Sequence, residues 1–180
     1  RVGDGVTAFG ALGVRNGFIV TTRSETSLNG VQFRKNVRRQ VAYENLRVGG
    51  FKGTGIEFEE LNWSLQSGFA PLIESCGTNL VLGDNTNAIT IAGIGLYQAI
   101  NYNCVIRGGF QVTFVGGYIQ EAGINGVDID SGSVQITKSV CFYGTYFEQN
   151  AVNDIVARNG LGLTVNGCYI KHEETTGASI

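Results

Sequence analysis

The stretch Asn125-Gly-Val-Asp-Ile-Asp-Ser-Gly132 aligns without a gap on Asn153-Asp-Ile-Val-Ala-Arg-Asn-Gly160. A trio aligns as closely: Phe114-Val-Gly-Gly-Tyr-Ile119, Phe142-Tyr-Gly-Thr-Tyr-Phe147 and Val165-Asn-Gly-Cys-Tyr-Ile170. Working outward from these, residues 30–54, 55–78, 79–99, 100–123, 124–151 and 152–175 stack as six versions of one unit. Each opens on a short alternating run, such as Gly30–Arg34 or Gly55–Glu59. Most close on a glycine, one or two aromatic or aliphatic residues, then polar residues. A repeat of about 24 residues marks a solenoid or an array. A propeller blade needs about 40 residues or more. A sandwich or up-and-down barrel needs hairpins but no column-by-column similarity. Three short strands per turn suit the period, with coils about 4.8 Å apart. The expected fold is all-β: a right-handed parallel β-helix, or solenoid, of about seven coils. Leu96, Ile119, Phe147 and Ile170 should form one inward ladder, with Phe58, Val127 and Ile129 also in the core. Asn36–Glu44 has room for a short helical turn before strand chemistry resumes at Asn45.

The composition fits one domain over residues 1–180, with a less regular first coil in 1–29 and regular coils in 30–175. Hydrophobic residues make up 43% of the chain, enough for a sizeable core. Glycine is abundant at 27 residues against a single proline, which suits tight turns rather than a disordered linker. The absence of Met and of evident end caps leads to the expectation of a fragment of a longer chain. The net charge of −2 offers no basic surplus for nucleic acid. No apolar run approaches the roughly 18 residues of a membrane span. The cluster Arg34–Arg39 reads as a solvated turn. Cys76, Cys104, Cys141 and Cys168 make no CxxC pair, and they read as four buried or half-buried thiols. Nothing in the sequence calls for a metal or a cofactor.

These repeats resemble the pectate-lyase-like, right-handed parallel β-helix superfamily, and within it phage tailspikes and capsule depolymerases. The likeness rests on Asn125–Ile129 followed by Phe142–Asn150, on Gly3-Asp4-Gly5-Val6-Thr7, and on the Gly- and Asn-rich, proline-poor composition. In such helices the last motif usually continues into Asp-Asp-Thr; here it runs Ala8-Phe9-Gly10. The resemblance implies a homotrimer that binds, and often cleaves, a bacterial surface polysaccharide (capsule or O-antigen). It also implies assembly in the bacterial cytoplasm and a place in the extracellular virion tail, without membrane insertion. A non-catalytic receptor-binding or structural β-helix of a tail fibre or adhesin is the alternative. The motif sets of polygalacturonases and pectate lyases are missing.

Strand alternation supplies candidate chemistry. With Ile56 and Phe58 inward, Glu57 and Glu59 share the outer face; Val127 and Ile129 do the same for Asp128 and Asp130. Carboxylates at i and i+2 lie about 7 Å apart. That overlaps the roughly 6.5–9.5 Å separation used by inverting glycosidases. The two pairs stand about three coils, or about 14 Å, apart, so they cannot form one mixed dyad. Asp128 and Asp130 are the preferred chemical pair, because Asp128 shows no evident cross-coil basic partner. In repeat register Glu59 faces Arg34 and Asp130 faces Arg158, which reads equally as two surface ion pairs. Trp63 and Tyr97 are candidate stacking rings, and Arg34 and Arg158 complete the expected substrate-binding set. Glu148 shares a column with Gln120 and Lys171, where mixed charge suits solvation. His172, the sole histidine, reads as a bystander.

Overall fold

A computed structural model describes residues 8–9, 12–20, 29–33, 37–38, 41–58, 66–84, 86–129 and 137–171. It is a parallel β-solenoid with no helix among those residues. One wall, sheet I, stacks Val31–Phe33, Thr54–Phe58, Thr78–Leu82, Tyr102–Ile106, Asn125–Ile129 and Asn153–Ala157. These six strands span five full turns, and Leu12–Val20, paired along its length with Val41–Gly49, adds an earlier layer, so the stack comes close to the seven coils expected from the repeat. Each coil then crosses sheet II, built from Gln66–Phe69, Asn87–Ala92, Phe110–Val115, Thr137–Tyr143 and Gly160–Asn166. It returns through sheet III, the short strands Leu72–Glu74, Gly95–Tyr97, Tyr118–Gln120, Tyr146–Glu148 and Tyr169–Lys171. In an earlier coil, Val41–Gly49 runs through sheets II and III as one bent strand. The expected helical turn at Asn36–Glu44 is replaced, where the chain is described, by strands Val37–Arg38 and Val41–Gly49.

One column of residues makes the bend between sheets II and III. Asn16, Asn45, Ala70, Gly93, Gly116, Gly144 and Gly167 all have positive φ. A single left-handed residue turns the chain sharply without breaking the coil-to-coil ladder. The bend from sheet III into sheet I uses a second such column, Ser75, Gln98, Glu121 and Gln149.

The aligned sequence columns are the observed register. Asn125 pairs with Asn153, Phe114 with Phe142, Phe142 with Val165, and Ile119 with Phe147. Like therefore packs on like in the core. Phe33 stacks on Phe58 at 4.8 Å and Phe114 on Phe142 at 4.9 Å, with Phe147 edge-on to Phe142. Each buried phenylalanine contributes about 2–3 kcal/mol, and each ring pair about 0.5–1.5 more. Phe58, Ile119, Val127, Ile129 and Phe147 are buried as expected. Ile170 is not: it is 53% exposed, because its strand is the last of the described stack on sheet III.

A buried amide ladder closes the corner between sheets III and I. Asn79 Nδ2 donates to Asn103 Oδ1 (2.7 Å) and to Tyr97 O (3.0 Å). Asn103 Nδ2 donates to Gln120 O (2.7 Å) and to Asn150 Oδ1 (3.2 Å). The next position in this column is Gly126, and there the amide comes from elsewhere. Asn150 reaches in from its own corner, and its Nδ2 donates to Ile119 O (3.1 Å) and Asp154 Oδ1 (2.7 Å). A Cβ on Gly126 would lie 2.6 Å from Asp154 O and 2.8 Å from Asn150 Nδ2, so only glycine leaves Asn150 its seat.

Candidate functional site

A solenoid offers its lateral faces. On sheet I the outer column runs Gln32, Glu57, Val81, Val105, Asp128, Val156. Glu57 and Asp128 thus sit on one face, separated by two valines that are themselves buried. Both carboxylates are engaged. Glu57 Oε2 accepts from Gln32 Nε2 (2.6 Å) and Asn29 Nδ2 (3.1 Å). Asp128 accepts from Arg158 Nη1 (2.6 Å) and from Asn125 Nδ2 (3.1 Å).

Two expectations change here. Asp128 does have a cross-coil basic partner, and Arg158 reaches it although the register sets Val156 opposite Asp128. The long arginine side chain leans back along its strand, which columns of letters do not show. Asp128 is also only 4% exposed, so it is a covered ion-pair member rather than an open surface acid. Glu59, Asp130, Trp63, Arg34 and His172 lie outside the described residues.

Sheet III carries an outer face of a different kind. One column holds Arg47, Leu72, Gly95, Tyr118, Tyr146 and Tyr169, and the column beside it Gly49, Glu74, Tyr97, Gln120, Glu148 and Lys171. Tyr97 and the mixed-charge column of Gln120, Glu148 and Lys171 stand where the sequence puts them. The polar groups are bonded along the axis. Arg47 grips Glu74 through Nε (2.7 Å) and Nη2. Gln120 Nε2 donates to Glu148 (2.8 Å), as does Lys171 Nζ (3.0 Å). Gln98 Nε2 donates to Glu121 (2.9 Å). Tyr97 also bonds Glu121, which, with smaller help from desolvation, raises its phenol above the ordinary value. Tyr146 is raised chiefly by its hydrogen bond to Glu148. Tyr146 and Tyr169 stack at 5.1 Å, nearly parallel.

Tyr118, Tyr146 and Tyr169 were not among the residues singled out in the sequence. The signal was present: three of the six aligned endings place tyrosine at this position, and the column is outward. Sheet II adds a shallow concavity of about 410 Å³, lined by Ala88, Thr90, Gln111, Thr113, Ser139 and Cys141. All four cysteines are free thiols, two buried and two half-buried. Among the described residues no three His, Cys, Asp or Glu side chains gather to hold a metal, and no helix is long and apolar enough to cross a membrane.

No protein-family model matches the sequence, and comparison with curated proteins finds no match. Among solved structures the chain is similar to a periplasmic alginate epimerase, AlgG. The TM-score is 0.76 at 11% identity, over 89% of this chain and 39% of that one. A double mutant of the same epimerase gives 0.74 at 10% identity, over 88% and 39%. The chain thus spans about two fifths of that protein's length. At this identity the likeness is one of fold.

Proposed function

We propose that this chain binds an extended polysaccharide along a lateral face of the solenoid. The observation that carries this reading is the outer face of sheet III. There tyrosines run beside carboxylates and amides over successive coils at about the inter-strand spacing. Tyrosines supply apolar faces for sugar rings, and the planar carboxylate and amide groups pair with sugar hydroxyls. The similar structure's description as an alginate epimerase adds a precedent for glycan chemistry on this fold.

The finer reading is a phage tailspike-like depolymerase of a capsule or O-antigen, acting as a trimer outside the cell; its support is the sequence resemblance. A periplasmic neighbour agrees with a place outside the cytoplasm. The chemical step would fall to Asp128 with Asp130, or to Glu57 with Glu59, as an acid and base pair. The hydrogen bonds and ion pair on Asp128 and Glu57 are those of either an oriented catalytic group or a structural tie. The alternative is a binder without chemistry. Turnover of the bound glycan separates them. Depolymerase action predicts that Asp128→Asn and Asp130→Asn each lower turnover by orders of magnitude with binding nearly intact. Parent-rate digestion by both variants would remove the assignment.

A further inference from the structure

Tyr118 and Gly95 make a feature that neither residue makes alone. They are register partners in adjacent coils of sheet III. A Cβ on Gly95 would lie 2.7 Å from both Cζ and the hydroxyl oxygen of Tyr118. The tip of the tyrosine therefore lies directly over the Gly95 backbone, and Gly95 is buried beneath it. A side chain that stands upright on a sheet offers its ring edge to solvent; one laid back over the sheet offers a face. Tyr118 is 36% exposed, so the ring whose tip covers Gly95 stays partly open to solvent. By contrast, Tyr146 and Tyr169 turn their faces toward each other.

From this geometry we propose that Tyr118, seated on Gly95, is the stacking platform of a sugar subsite on sheet III. The platform has polar groups beside it. Tyr97 lies two residues along the same strand as Gly95, with its hydroxyl bonded to Glu121. Gln98 donates to the same Glu121. Both partners of Glu121 are neutral, and the cations of these columns, Lys171 and Arg47, are committed to Glu148 and Glu74. A ligand over Tyr118 therefore meets net negative charge. Charge complementarity selects a neutral hexose unit and disfavours a uronate. The proposal rests on the polysaccharide-binding reading above and narrows it to one face and one sugar class.

The test uses the full protein and an array of purified bacterial polysaccharides, both neutral and uronate-containing. The parent should bind at least one neutral glycan more tightly than the uronate-containing ones. Tyr118→Ala should weaken that binding about tenfold, while Tyr118→Phe should keep it within about threefold. Gly95→Ala is the decisive variant. It leaves the tyrosine in place but puts a methyl group where its tip rests, so binding should again fall about tenfold. The three atoms nearest its new Cβ belong to the side chains of Tyr118 and Leu72 rather than to backbone, so circular dichroism and the urea midpoint should show the fold kept. Glu121→Gln should improve binding of uronate-containing glycans relative to the parent. Parent-level affinity in both Tyr118→Ala and Gly95→Ala would overturn the subsite while leaving the broader reading standing. A parent that prefers uronate glycans would overturn the neutral-sugar selection. A parent that binds no glycan would overturn subsite and broader reading together.

Discussion

Replacing Asn103 by alanine removes the centre of the buried amide ladder, and its cost can be worked contact by contact. The Asn103 side chain is fully buried and makes three hydrogen bonds: one from Asn79, one to Gln120 O and one to Asn150. Each partner keeps a second bond after the substitution. Asn79 still donates to Tyr97 O, Asn150 Oδ1 still accepts from Ala122 N, and Gln120 O still accepts from Gln98 N. No orphaned polar group is created, so the cost is three bonds at about 0.5–1.5 kcal/mol each, plus a small void. The expected loss is about 2–4 kcal/mol. With a urea slope of about 2 kcal/mol per molar, the midpoint should fall by about 1–2 M at unchanged slope. Asn103→Asp should be worse, since the new oxygen faces two acceptors where an amide donated. The assay is urea unfolding followed by far-UV circular dichroism. A midpoint for Asn103→Ala within about 0.3 M of the parent would refute the ladder as a source of stability.

Other expectations follow from single contacts. Gly126→Ala should lower stability by about 1–3 kcal/mol, because the added methyl meets Asp154 O and displaces Asn150; urea unfolding reads this directly. Arg158→Ala should cost about 1–3 kcal/mol, more than a typical surface pair, because it leaves the covered Asp128 with Asn125 as its donor. Among the cysteines, Cys141 and Cys168 should be alkylated in the native protein. Cys76 and Cys104 should resist, since burial both shields these thiols and raises their pKa; mass spectrometry after timed alkylation gives the order. Tyr97 should titrate above the ordinary phenol value of 10.0 because Glu121 holds its proton. A raised folded-state pKa means this bond's contribution is present at neutral pH and lost as pH rises through the folded value. Glu121→Gln should bring the Tyr97 phenolate absorbance back toward ordinary pH.

Much of the fold was legible because a solenoid repeats its contacts at a nearly constant sequence interval. Leu96, Ile119 and Phe147 align as letters and stack as side chains, and the Gln120, Glu148 and Lys171 column follows by the same rule. What resisted sequence reading is whatever leaves its column. Asn150 crosses from its corner into the space above Gly126, so the amide ladder looks broken in the sequence and is whole in the structure. Arg158 leans back to Asp128, one partner away from the one in register. Tyr118 gains its pose from a side chain that is missing one coil away, and a glycine in a tyrosine column was the only trace. Ile170 matches the core column and is still exposed, because burial depends on what stacks next.

The most direct measurement exposes the intact protein to a panel of purified bacterial capsules and O-antigens, recording binding and the masses of any products. Polysaccharide recognition predicts saturable binding to at least one glycan, and depolymerase action adds fragments of regular repeat mass. A panel that spans neutral and acidic polymers and yields neither binding nor products would contradict the reading of this solenoid as a polysaccharide-binding protein.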